Sequence, residues 1–80
     1  MSKDKEALLA EERKLKKLKS IVNLTTALLW QADLTLSEAQ RLVAGASERA
    51  LELFPDKGET FDLIYGSRFR RILVDKFKLQ

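Results

Sequence analysis

Residues 13–32 form one stretch without glycine or proline, in which a lysine-rich segment is followed directly by an apolar one. The segment 13–19 carries five basic side chains, whereas the segment 20–32 carries none. Because nothing interrupts the backbone at the junction, the stretch predicts one helix that changes from a charged rod with a thin apolar seam to a segment with a broad apolar face. In so short a chain that face needs a cover, so its width constrains the whole fold.

This first helix is predicted to run over about residues 3–31. Leu8, Leu15, Val22 and Leu29 recur every seven residues along one stripe of it, and Leu18 occupies the second position of the same seam. Glu11 interrupts the repeat, so the seam before residue 20 is narrow. Beyond residue 20 the apolar side chains span about 160° of the helix, which is wider than a two-stranded coiled coil requires.

A second helix is predicted over about residues 36–54. Thr35 followed by Glu38 has the spacing of a capping box at its start. Its apolar stripe has small residues in the middle, so another helix can approach closely there: Leu36, Ala39, Leu42, Val43, Ala46, Ala50, Leu53 and Phe54. Pro55 biases the preceding residue away from helical dihedral angles and ends the helix.

A third helix is predicted over about residues 59–77, with a possible break at 66–67. Its apolar face contains Phe61, Tyr65, Phe69, Ile72, Leu73 and Phe77. Gly66 and Ser67 interrupt the pattern, because glycine weakens a helix and serine is a good N-cap. We favour one helix with a soft point over two helices of which the second is capped by Ser67.

These patterns predict an all-α fold, a three-helix antiparallel arrangement in a single domain over residues 1–80. Strand signals are poor, and the two connections are short, which favours antiparallel neighbours. The first helix would be about 45 Å long and the second about 27 Å, at 1.5 Å per residue. The first helix must therefore overhang, and we expect its N-terminal extension, residues 1–14, either to be frayed or disordered or to pair with another chain.

Composition limits how so small a domain is stabilised. The 80 residues include no cysteine and no histidine, which excludes disulfides and the usual zinc ligands. Oligomerisation or very good helix packing remains as the source of extra stability. No apolar run is long enough for a transmembrane helix, and the acidic residues before residue 13 disfavour a signal peptide, so we expect a cytoplasmic protein.

The seam and one aromatic residue form a candidate partner interface. It consists of Leu8, Leu15, Leu18, Val22 and Trp30, the last lying off the main apolar face of the first helix. We expect a homodimer, or a complex with another protein, through this surface. In the alternative, residues 3–14 are mobile, the chain from Leu15 onward packs within its own bundle, and Trp30 packs on the first connection or under the third helix.

Two basic groups, at residues 13–19 and 68–78, are candidate anion or phosphate contacts. The side chains concerned are Lys14, Lys16, Lys17, Lys19, Arg68, Arg70 and Arg71. They point to an alternative function as a nucleic-acid-associated accessory protein, but they are also what solvated helix surfaces contain. A helix-turn-helix is disfavoured, because Glu59 and Asp62 at the start of the third helix would repel phosphate.

We expect no catalytic activity, no cofactor, no metal and no small-molecule substrate. Without histidine and cysteine, acid–base chemistry would depend on Asp, Glu, Lys or Tyr, and the single tyrosine lies on the apolar face of the third helix. No glycine-rich phosphate loop is present. The sequence therefore favours a small protein–protein interaction or regulatory module that self-associates through its first helix. A peripheral membrane-surface protein is a second alternative, although membrane association is not favoured.

Overall fold

The computed structural model of the protein describes residues 2–79, which form three helices and no strands. Helix α1 is Ser2–Gln31 and helix α2 is Leu36–Leu53. Helix α3 covers residues 58–77 as a continuous helical stretch made of Gly58–Phe61, a π-helical turn Asp62–Gly66, and Ser67–Phe77. The predicted all-α class and the three helices are confirmed, and each predicted helix end agrees with the structure to within about one residue.

Consecutive helices run antiparallel. Near the chain's first connection, Leu28 of α1 lies beside Leu42 of α2, whereas Leu15 lies beside Phe54 at the opposite end of α2. Helix α3 then returns alongside α1 and ends where α1 ends. The molecule is elongated, with extents of 52 × 22 × 15 Å, because α1 is much longer than the helices that pack on it.

The core is a small cluster between the three helices, formed by Val22, Leu29, Ala39, Ala46, Ala50, Phe61, Phe69, Ile72 and Leu73. The large side chains that are fully buried are Phe69 and Leu29. Thr25 is buried with them, and its hydroxyl donates a hydrogen bond of 2.7 Å to the Ile21 carbonyl, which satisfies the polar atom. The predicted small stripe of α2 supplies three of these residues and lets α1 and α3 approach closely.

Helix α2 begins with the predicted capping box. The Glu38 backbone N–H donates to the Thr35 hydroxyl, and the Thr35 backbone N–H donates to the Glu38 carboxylate. The hydrogen bonds from the Thr35 backbone and side chain stabilise the charged carboxylate and lower the pKa of Glu38 from its ordinary value of 4.5. The start of α2 is therefore fixed by local sequence, independently of packing.

The π-helical turn aligns the aromatic side chains of α3. Phe61, Tyr65 and Phe69 are spaced four residues apart. In a regular α-helix each step of four residues rotates the side-chain direction by about 40° around the helix axis. In the turn, the Ser67 N–H donates to the Asp62 carbonyl five residues earlier, and this wider turn absorbs the drift. The ring of Phe61 lies 5.2 Å from that of Tyr65 and 6.4 Å from that of Phe69.

Gly66 does not break α3. Its φ of −59° and ψ of −43° are ordinary α-helical values, so the alternative of two separate helices is wrong. Gly66 lies four residues from both Asp62 and Arg70, and a Cβ atom there would collide with the Asp62 carboxylate. Its missing side chain leaves room for the Arg70 guanidinium to reach that carboxylate at 3.2 Å. The soft point predicted at 66–67 is therefore the end of the π-helical turn, bridged by an ion pair.

Candidate protein-interaction surfaces

The N-terminal third of α1 extends beyond the rest of the bundle. Side chains 3–17 are exposed, and the first cross-helix contact of a charged group is at Lys14, whose ammonium lies 5.8 Å from the centre of the Phe54 ring. Phe54 is the residue that follows α2, so α2 ends at this level. The predicted overhang is thus present as helical backbone. The expectation that residues 1–14 are frayed or disordered stays a prediction for residues 2–14, and Met1 lies outside the described residues.

The five residues predicted to form a partner interface lie in different surroundings. Leu8 and Leu15 are 66% and 45% exposed, and Leu18 is half-buried against the core. Val22 is 3% exposed and lies inside the bundle, out of reach of a second molecule. Trp30 is 50% exposed, on the far side of the last turn of α1. The seam is therefore a surface only in its first half.

Where this seam meets the bundle, an apolar notch of about 220 Å³ opens between the three helices. Leu15 and Leu18 form its α1 wall, and Ile64 and Tyr65 form its α3 wall. Glu11 and Lys57 lie at its edge. Ala50 of α2 and Phe54 line the notch as well, so both walls lie at the C-terminal end of α2.

A second apolar surface lies in the groove between α1 and α2, and no residue of α3 lines it. We call it the α1–α2 groove, and its central part is lined by Ile21, Leu24, Thr25, Leu28, Arg41, Leu42, Gly45, Ala46 and Arg49. Leu24 is 62% exposed and Leu28 is 37% exposed. These two leucines are the part of the broad apolar face of residues 20–32 that α2 and α3 leave uncovered.

The groove continues as a hollow with opposite charges on its two sides. Lys16 and Lys17 line the hollow from α1, whereas Glu48, Arg49 and Glu52 line it from α2, so the α2 wall carries a net negative charge. Within residues 2–79, the one ion pair closer than 4.0 Å is that between Arg70 and Asp62. The lysines and glutamates of the hollow therefore face each other without forming a salt bridge inside the chain.

The basic residues predicted as anion contacts do not form one surface. Lys14 lies over Phe54, and the Arg68 guanidinium lies 5.6 Å from the centre of the Tyr65 ring. Arg70 is held by Asp62 and donates a second hydrogen bond to the Ser67 hydroxyl. Lys16 and Lys17 belong to the hollow, and Lys19 and Arg71 are exposed. Three of the seven thus have partners within the chain.

A lysine of α3 holds the end of α1. The half-buried Lys76 ammonium donates hydrogen bonds to the carbonyls of Leu29 and Ala32, the second at 2.7 Å. Leu29 lies in the last turn of α1 and Ala32 directly follows the helix, where carbonyls lack intrahelical donors and the helix dipole favours a positive charge. The Ala32 carbonyl also accepts from the Leu34 N–H at 3.1 Å. The sequence does not predict this contact, because no local pattern links residues so distant along the chain.

Among residues 2–79, no group of three or more acidic side chains is placed to hold a metal ion. No helix in the same range has the length and apolar content needed to cross a membrane. Comparison with known proteins gives no family: no family model, no curated protein sequence and no solved structure matches this chain.

Proposed function

We propose that this protein is a small, non-catalytic, cytoplasmic interaction module that self-associates through its first helix. The observation that carries the proposal is the exposure of apolar side chains on α1 after α2 and α3 have packed. Leu8, Leu15, Leu24 and Leu28 all remain more than one third exposed. Leu24 and Leu28, one helical turn apart, form one exposed apolar patch in the α1–α2 groove, and such patches are typical of sites that contact another protein.

The small area that this fold buries supports self-association. A domain of 80 residues buries only about 60% of the surface that its unfolded chain exposes. Three of the nine core residues are alanines, which contribute little apolar area. With no cysteine and no histidine in the chain, a second molecule is the simplest source of additional burial.

Sedimentation equilibrium from micromolar to submillimolar concentration tests the proposal. We expect the weight-average mass to rise from the monomer value of 9.2 kDa toward twice that value. The melting temperature should rise over the same range, because association stabilises the folded state by mass action. A folded chain, judged by circular dichroism, that stays at 9.2 kDa throughout would refute self-association.

The nucleic-acid alternative has weaker support. Arg70 is paired with Asp62, and Lys76 is occupied at the end of α1, so the second basic group offers fewer cations than its sequence suggests. Titration of a fluorescent duplex and a single-stranded oligonucleotide at low salt tests it. Binding that weakens steeply with added salt would favour this alternative over the interaction module.

A further inference from the structure

We infer that the self-association proposed above uses the α1–α2 groove, with two copies related by a twofold axis parallel to the helices. In this arrangement α1 of each copy lies against α2 of the other, and the four helices form an antiparallel bundle with both α3 helices outside. Because the axis is parallel to the helices, residues that lie at one level in one chain meet at that level between the two chains. The inference rests on the proposed function and names its surface.

The apolar part of the groove is self-complementary. Leu24 projects from the α1 wall, and Gly45 lies opposite it on the α2 wall of the same groove. A Cβ atom built on Gly45 would meet nothing within 4 Å, so there is open space above this glycine. The twofold axis places Leu24 of each copy over Gly45 of the other, in the manner of a knob entering a hole. Leu28 then meets Leu42 of the other copy.

The charged part of the groove is complementary under the same axis. Lys16 and Lys17 on α1 lie at the level of Glu48 and Glu52 on α2, since all four line one hollow. The rotation therefore brings the lysines of each copy to the glutamates of the other, on both sides of the axis at the same end of the interface. Electrostatic complementarity of this kind fixes register and suppresses wrong pairings.

The seam of the overhang is a poorer surface for a second copy. Two overhangs that pair in parallel place Glu11 of one beside Glu11 of the other, inside the seam. Antiparallel pairing with Leu8 against Leu18 places Lys14 beside Lys14 and Glu12 beside Glu12. Like charges directly opposite are unfavourable in either arrangement. Charge thus favours the groove over the overhang.

The size of the groove predicts the strength of the dimer. Its lining runs from Lys16 to Ala32 along α1, which corresponds to about 24 Å at 1.5 Å per residue. Two helices side by side are about 20 Å wide, so each copy offers roughly 500 Å². The two copies together bury about 1,000 Å², near the lower end of specific interfaces, which corresponds to a reversible dimer that exchanges readily.

Charge-reversed chains test the inference. The first variant, Lys16→Glu with Lys17→Glu, has acidic groups on both walls of the hollow. The second variant, Glu48→Lys with Glu52→Lys, has basic groups on both walls. Each alone should dimerise at least about tenfold more weakly than the wild type, because like charges then meet across the axis. An equimolar mixture should form a heterodimer, measured by sedimentation velocity with one chain labelled.

Two further variants separate the possible results. Gly45→Leu fills the hole and should weaken the dimer by about tenfold or more. Leu8→Glu lies on the overhang and should leave the dissociation constant unchanged. Charge-reversed chains that each dimerise as tightly as the wild type, with no preference for the heterodimer on mixing, would overturn the groove and leave the proposed self-association standing. Loss of dimer in Leu8→Glu with retention in Gly45→Leu would assign the interface to the overhang. A monomeric wild type would refute the proposed function itself.

Discussion

The contact between Lys76 and the end of α1 makes a quantitative prediction for Lys76→Met. Methionine keeps an unbranched apolar stem but removes the ammonium that donates to the Leu29 and Ala32 carbonyls. Hydrogen bonds to a charged group contribute about 1.5–3 kcal/mol, and a cation at a helix C-terminus about 0.3–1 kcal/mol. Because Lys76 is only half-buried and water replaces part of both contributions, we expect a loss of about 2 kcal/mol.

That loss is large for this chain. A domain of 80 residues has a free energy of unfolding of about 4–12 kcal/mol, at 0.05–0.15 kcal/mol per residue. A loss of about 2 kcal/mol should lower the melting temperature by about 8–16 °C. Thermal and urea unfolding followed by circular dichroism, at a concentration where the chain is monomeric, measures both quantities.

Trp30 supplies a local reporter for the same experiment. It lies in the last turn of α1, between the two carbonyls that Lys76 binds, and it is half exposed. In Lys76→Met we expect Trp30 fluorescence to change before the circular dichroism signal does, because the last turn frays first. Coincident transitions would indicate that the turn unfolds only with the whole chain.

Lys78→Met is the matched control, because it removes the same charge two residues later from an exposed site. It retains the left-handed backbone at this position, where φ is 54°. We expect a change within about 0.5 kcal/mol. Equal losses in Lys76→Met and Lys78→Met would refute the contact and assign the effect to net charge.

Four further predictions concern the helices. Gly45→Ala should stabilise the monomer by about 1 kcal/mol, since alanine is the better helix former and its methyl group has open space. Thr35→Ala should destabilise it by about 1 kcal/mol through loss of the N-cap. Because folding lowers the pKa of Glu38, the contribution of its carboxylate to the free energy of unfolding is present above pH 4.5 and is lost as the pH falls through the folded-state pKa. In Glu38→Gln the free energy of unfolding should therefore depend less on pH in that acidic range. Amide exchange should be much faster over residues 3–10 than over 21–29.

Each of these has its own control or contrary result. Ala44→Gly, the reverse change at the exposed neighbouring position, should cost about 1 kcal/mol, and opposite signs for the two substitutions are required. An unchanged acid profile in Glu38→Gln would mean that its carboxylate does not titrate differently on folding. Strong protection of the amides at 3–10 in the monomer would contradict a frayed extension.

Local signals in the sequence were sufficient to place the helices. The capping box at Thr35 and Glu38 fixed the start of α2, and Pro55 fixed its end. Gly66 drew attention to the right part of α3, although its role there is to make room for an ion pair instead of breaking the helix. These features depend on residues within a few positions of one another, which a pattern along the chain records.

The surfaces were harder to predict, because they depend on which helix covers which side chain. Periodicity predicts the width of the apolar face at residues 20–32, but it does not predict which of its side chains the other helices cover. The exposure of Leu24 and Leu28 depends on that packing. It placed Val22 in a partner interface because the seam of the overhang and the core stripe have the same spacing. The bundle separates the two at Leu18, where α2 and α3 begin to cover α1.

The π-helical turn has a consequence for the permitted length of this chain. Phe61, Tyr65 and Phe69 are spaced four and four residues apart, and deletion of the exposed Leu63 would change the spacing to three and four. That is the spacing of a regular α-helical stripe, so the shortened chain can keep its aromatic packing with an ordinary helix. A single-residue deletion in α2 would instead rotate its stripe by about 100°. Related chains that are one residue shorter are therefore compatible with this fold when the gap falls within residues 62–66.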